Sequence, residues 1–136
     1  MMHSRGAAQY RAVSNHGLVA DASPARLVQI MYEEVLTQLL IAQGCMQRIS
    51  NNLPLNEVVT KGKAMGKAIR IINQLNGTLD MERGGDIAQN LRSLYVYMLA
   101  RLTLANATLN ASIVGEVIGL VRKVKSGWDG IVTDAR

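Results

Sequence analysis

From Pro24 to Trp128 the apolar residues return every three or four positions, and the rhythm breaks at only three places. Those breaks are Asn51-Asn52 with Pro54, Gly84-Gly85, and the neighbourhood of Asn106 and Asn110. No segment alternates apolar and polar residues for long enough to make a sheet. A chain with this period must bury four helical stripes against one another, and short connections between them predict an all-α, antiparallel four-helix bundle.

The local signals place the elements. Ser23 suits an N-cap and Pro24 the first helical position. The first stripe is Leu27, Met31, Val35, Leu39, Ala42 and Met46, and the second, running to about Leu79, is Val58, Met65, Ile69, Ile72 and Leu75. Gly84-Gly85 reads as a stop and Asp86 as a start, so the third helix is expected over about 86–108. Its inner stripe is Ile87, Leu91, Leu94, Tyr95, Met98, Leu102, Ala105 and Leu109. Asn106 or Asn110 caps the fourth helix, whose stripe is Ile113, Val117, Leu120, Val121, Val124 and Trp128. Residues 1–20 have no sustained period and are expected to form a mobile N-terminal segment. The bundle domain is expected over 21–130, with a short tail at 131–136.

Several function classes fall away. The longest apolar run, Leu39-Leu40-Ile41-Ala42, is far short of the roughly 20 residues a membrane span needs. The opening MMHSRGAAQYRAV lacks the apolar middle of a signal peptide, which predicts a cytoplasmic protein. Cys45 is the only cysteine; it falls in an apolar stripe and reads as a buried thiol. His3 and His16 have no helical pairing and no nearby cysteine, so no metal site is expected. GKAMGKA, residues 62–68, lacks the spacing and the Ser or Thr of a phosphate loop. DMERGGD is too short for a calcium loop. No nucleophile stands beside a base, and neither an enzyme nor a cofactor is expected.

The net charge of +5 leaves nucleic acid to be considered. The densest basic group is Lys61, Lys63, Lys67 and Arg70, with Lys63, Lys67 and Arg70 on one helical stripe. No aromatic residue is interleaved to stack bases, and the simplest reading is a solvated face.

The third helix carries the stronger signal. At 100° per residue, Gln89, Ser93, Val96, Tyr97, Ala100, Leu104 and Ala107 fall roughly opposite its core stripe, where Lys, Glu and Arg are usual. An exposed apolar face on a protein of this kind marks a binding surface, the alternatives being a fully surrounded central helix or a homodimer contact. In the second helix Ala64 and Ile71 extend the apolar arc in the same way. Glycines interrupt two helices, Gly62 and Gly66 in the second, Gly115 and Gly119 in the fourth, at a cost of about 1 kcal/mol each relative to alanine. Close approach by a neighbouring helix explains such a cost. Gly115 and Gly119 point away from the Ile113–Trp128 stripe, so that neighbour is expected to come from outside the core.

Three stretches together, DASPARLVQIMYEEVL, LDMERGGDIAQNLRSLYVYMLARLTLAN and GEVIGLVRKVKSGW, closely resemble the flagellar secretion chaperone family FliS, from Tyr10 to Trp128. The resemblance implies a helical bundle that binds the disordered C-terminal segment of flagellin, keeps it from polymerising in the cytoplasm and helps deliver it to the flagellar type III export apparatus. It leaves room for an export-gate component or a regulatory protein as a second partner, and for a monomer or a weak dimer. With the face analysis it points to Val96, Tyr97, Ala100, Leu104 and Ala107 as client-binding residues, with Gly115, Gly119 and Ile71 nearby. It further implies that Tyr10, with Val13, covers apolar surface when no client is bound. Val96 stands where family members often have an acidic residue, and Asn110 where aspartate is common. The rival readings are a homo-oligomeric structural bundle and, less favoured, a nucleic-acid-binding bundle.

Overall fold

The computed structural model describes residues 23–49 and 54–134, and consists there of four helices: α1 (Pro24–Arg48), α2 (Leu55–Gly77), α3 (Gly85–Thr108) and α4 (Ala111–Asp134). The helix starts follow the capping rules. Ser23 Oγ accepts from the backbone N–H of Arg26 at 3.1 Å, ahead of Pro24 in the first turn. Asn110, rather than Asn106, caps α4, its Oδ1 accepting from the Ile113 N–H at 3.1 Å. Only Leu109 and Asn110 separate α3 from α4, and the turn is tight enough to force Leu109 into the left-handed region, φ 54°. The α3 start differs from expectation by one residue: Gly84 is the cap and Gly85, at φ +54°, the first helical residue. A side chain at Gly84 would force its neighbours to shift, because a Cβ there would lie 2.5 Å from the Ala88 Cβ.

Side-chain links across the bundle show that sequential helices run antiparallel. The Trp128 indole near the end of α4 donates to the Ala25 carbonyl at the start of α1, 2.8 Å, and Gln43 late in α1 donates to the Ala111 carbonyl at 3.3 Å. Lys61 early in α2 meets Asn106 late in α3. Each helix packs along two others in the cyclic order α1, α2, α3, α4. Across the diagonal, the hydroxyls of Tyr32 in α1 and Tyr95 in α3 are hydrogen-bonded at 2.5 Å, with Trp128 edge-on to Tyr32.

The core is apolar and closed. Val35, Leu39, Met65, Met98, Leu102, Val114 and Val117 are sealed from solvent, as is Cys45, whose thiol burial pushes above its usual pKa. The expected stripes of α1 and α2 are recovered, apart from Val58 and Ile69, which are only partly buried. Those of α3 and α4 need correcting. Ile87 is 74% exposed; it lies in the opening turn of α3 at the end of the bundle, where Ala88 is the enclosed side chain. Leu109 has left the helix and is 37% exposed. In α4 the fully buried face is Val114, Val117, Ile118 and Val121, so the helix is rotated from the predicted stripe and Ile113 and Leu120 sit at the core's edge.

Candidate functional site

Between its core contacts and its ends, α3 presents Gln89, Ser93, Val96, Tyr97, Ala100, Leu104 and Ala107 on the outside of the bundle, and all are exposed. Val96 keeps 52% of its surface, Tyr97 and Leu104 each 44%. The 3.6-residue period explains why: with Tyr95, Met98, Leu102 and Ala105 turned inward, these positions must turn out. From Val96 to Ala107 the strip runs about 16 Å along the helix and carries no charge. Ala100 and Ala107 are small enough to leave the backbone approachable between the larger groups.

One edge of the strip is polar and organised. The Tyr97 hydroxyl donates to Glu116 Oε2 of α4 at 2.6 Å, and Arg101 Nε donates to the other carboxylate oxygen at 2.8 Å. Tyr97 and Arg101 stand one turn apart on α3, so a single glutamate spans both. The two bonds hold the Glu116 carboxyl below its ordinary pKa, the Tyr97 contribution being the larger, and the same bond raises the Tyr97 hydroxyl. The Tyr97 hydroxyl is thus bonded within the fold, and its ring is fixed at the α3–α4 seam. Arg101 and Glu116 have no place in the sequence-based expectation, and the Tyr97–Arg101 spacing is the signal that points to them.

The remaining expected residues lie elsewhere. Ile71 is 7% exposed and Ala64 3%, so both belong to the core and present no side chain to the outer surface. The apolar arc of α2 is wide because two neighbouring helices cover it. Gly115 faces α1: a Cβ there would approach Gln43 Nε2 at 2.9 Å, so the neighbour it admits is internal. At Gly119 a Cβ would meet nothing within 4 Å, and the same holds for Gly62 and Gly66. Tyr10 and Val13 fall outside the described residues. Lys61, the member of the basic group that falls off the Lys63, Lys67 and Arg70 stripe, is 8% exposed, and its ammonium donates to Asn106 Oδ1 at 2.7 Å.

Among the described residues no group of His, Cys, Asp or Glu is arranged to hold a metal ion, and no helix is long and apolar enough to cross a membrane. What remains on the outside of α3 is an exposed apolar strip with one polar edge.

Comparison with known proteins bears on the family of this chain. The family model described as Flagellar protein FliS matches residues 6–135. The flagellar secretion chaperone FliSB of Pseudomonas aeruginosa is 46% identical over 123 residues, 90% of this chain and 92% of the relative. The flagellar secretion chaperone FliS of Vibrio cholerae is 38% identical, over 93% of this chain and 89% of its own. That of Salmonella typhimurium is 36% identical, with 96% and 93% covered.

Proposed function

This chain belongs to the FliS family, and from that premise we propose that it is a cytoplasmic export chaperone whose client is the disordered C-terminal segment of flagellin. The relatives are named as secretion chaperones, not as enzymes. The observation that carries the reading is the uncharged, exposed strip Val96–Ala107 on a helix whose other side is fully used by the core.

The physical logic is that of a helix received in a groove. A flagellin terminal segment is built to pack within a filament, so unassembled it exposes an apolar side that invites premature polymerisation. Folding such a segment on a partner buries about 1,000–3,000 Å² and costs roughly 2–5 kcal/mol in ordering. Val96, Leu104 and the Tyr97 ring supply area, Ala100 and Ala107 supply closeness, and Gly119 extends the open surface onto α4. Because Glu116 holds the Tyr97 ring in place beforehand, little of its rotamer freedom remains to be lost on binding. The held client is kept monomeric and available to the type III export apparatus.

Isothermal titration of the full chain against a synthetic flagellin C-terminal peptide tests the assignment, with light scattering to give the stoichiometry. A one-to-one complex is expected. Leu104→Glu, an exposed change that leaves the fold intact, is expected to weaken it by about tenfold or more, since it sets a charge in a desolvated contact. An obligate homo-oligomer that ignores the peptide would instead favour self-association through the same strip.

A further inference from the structure

The outward face of α2 is chemically unlike that of α3. It carries Lys63, Lys67 and Arg70, all exposed, at spacings of four and three residues, so that they form one row about 10 Å long. No ion pair engages any of them among the described residues, whereas Arg26, Arg48, Arg83, Arg101 and Lys125 each have an acidic partner; Arg92 on α3 and the adjacent Arg122 and Lys123 on α4 are exposed without one too, but only on α2 do three such cations form a row along one helix. The one acidic residue of α2, Glu57, is tied to Arg48 of α1 at 2.9 Å, so the row has no acid of its own helix to neutralise it. Interleaved with the row are Gly62 and Gly66, above which a Cβ would meet nothing within 4 Å. Glycine weakens a helix interior relative to alanine, and here no internal packing offsets the loss. Toward the start of the same helix Val59 and Leu55 are 46% and 75% exposed.

We propose that this face of α2 is a second docking surface, distinct from the α3 strip, for an acidic amphipathic helix of another protein. Unpaired cations one and two turns apart match carboxylates repeating at the same interval on a helix laid alongside. The glycines let the two backbones approach, and Val59 and Leu55 take the apolar edge of the visitor. A nucleic acid suits the face less well: there is no aromatic side chain to stack a base, and the row is flanked by apolar groups instead of further cations. This surface stands independently of the client assignment.

The test uses the full chain and a designed helical peptide with Glu at positions i, i+4 and i+7 and Leu and Ala on the adjoining face, followed by fluorescence anisotropy. Binding that weakens as salt rises is expected. The double variant Lys63→Glu, Lys67→Glu is expected to weaken it by about tenfold or more. Gly66→Leu, whose Cβ would meet nothing within 4 Å and whose side chain favours the helix, is expected to block binding while thermal stability is kept. Flagellin C-terminal peptide binding is expected to be unchanged in both variants. Failure of the acidic peptide to bind overturns the proposal, as does binding indifferent to these substitutions. Loss of the flagellin peptide along with the acidic one shows a single shared surface and overturns it too. So does preferential capture of a DNA or RNA oligonucleotide. Failure of the flagellin peptide on the unmodified chain counts only against the client assignment.

Discussion

Glycines do opposite work at two places in this bundle, and substitution separates them. Gly66 faces open space, so Gly66→Ala removes a helix-interior penalty and is expected to stabilise the fold by about 1 kcal/mol. Gly84 has the Ala88 Cβ and the Asp80 carbonyl in the way, so Gly84→Ala is expected to destabilise by about 1–3 kcal/mol through overpacking. Urea denaturation of the two variants checks both signs. Glu116 gives a residue-scale prediction of another kind. Its folded-state pKa lies below the ordinary 4.5, so its contribution is present at neutral pH and is lost as pH falls through the folded value. The melting-temperature gap between the unmodified chain and Glu116→Gln is therefore expected to hold near pH 7 and to close below about pH 4.5. None of this is visible in the sequence, because period and spacing say which face a residue is on, not which side chain it meets. Gly115 is the clearest instance: its position away from the expected stripe is legible, but its neighbour is Gln43 of the same chain.

At the scale of elements, the link between α2 and α3 is the least ordinary. Lys61 places an ammonium in a site 8% exposed, answered by the Asn106 amide oxygen at 2.7 Å. Asn106→Ala strands that charge and is expected to cost about 2–3 kcal/mol, above the loss of a surface hydrogen bond. Adding Lys61→Met removes the stranded group, and the double variant is expected to recover part of the loss; a double-mutant cycle from chemical denaturation measures the coupling. Helix existence and order are legible because each stripe is long and each break has its own chemistry, Ser23-Pro24 and Gly84-Gly85 above all. The rotation of α4 is not. Ile113, Val114, Val117, Ile118, Leu120 and Val121 crowd more than one face, and only the positions of the helices packed against α4 decide which of them is sealed. Ile71 fails in the same manner: an apolar arc wider than one seam fits a helix with two neighbours as well as a helix with an exposed binding face.

For the whole molecule, the question is whether a chain of net charge +5 holds its client by that charge. Within Val96–Ala107 the one cation, Arg101, is spent on Glu116; Arg92, exposed one turn before Val96, is a single charge, and the exposed row Lys63, Lys67 and Arg70 lies on α2. Flagellin peptide affinity is therefore expected to change little between about 50 and about 200 mM salt, an interval over which a protein neutralising several phosphates loses orders of magnitude. Because the client binds only the folded bundle, peptide at about 100 times its dissociation constant adds roughly 2.7 kcal/mol of stability. For a chain of this length that is a rise in melting temperature of roughly 8–10 °C. Calorimetric melts across the salt range, with and without peptide, read both quantities at once. A rise that persists in high salt belongs to apolar burial on α3. A rise that collapses as salt screens the charges means that exposed cations carry the client, and the apolar α3 strip then loses its role.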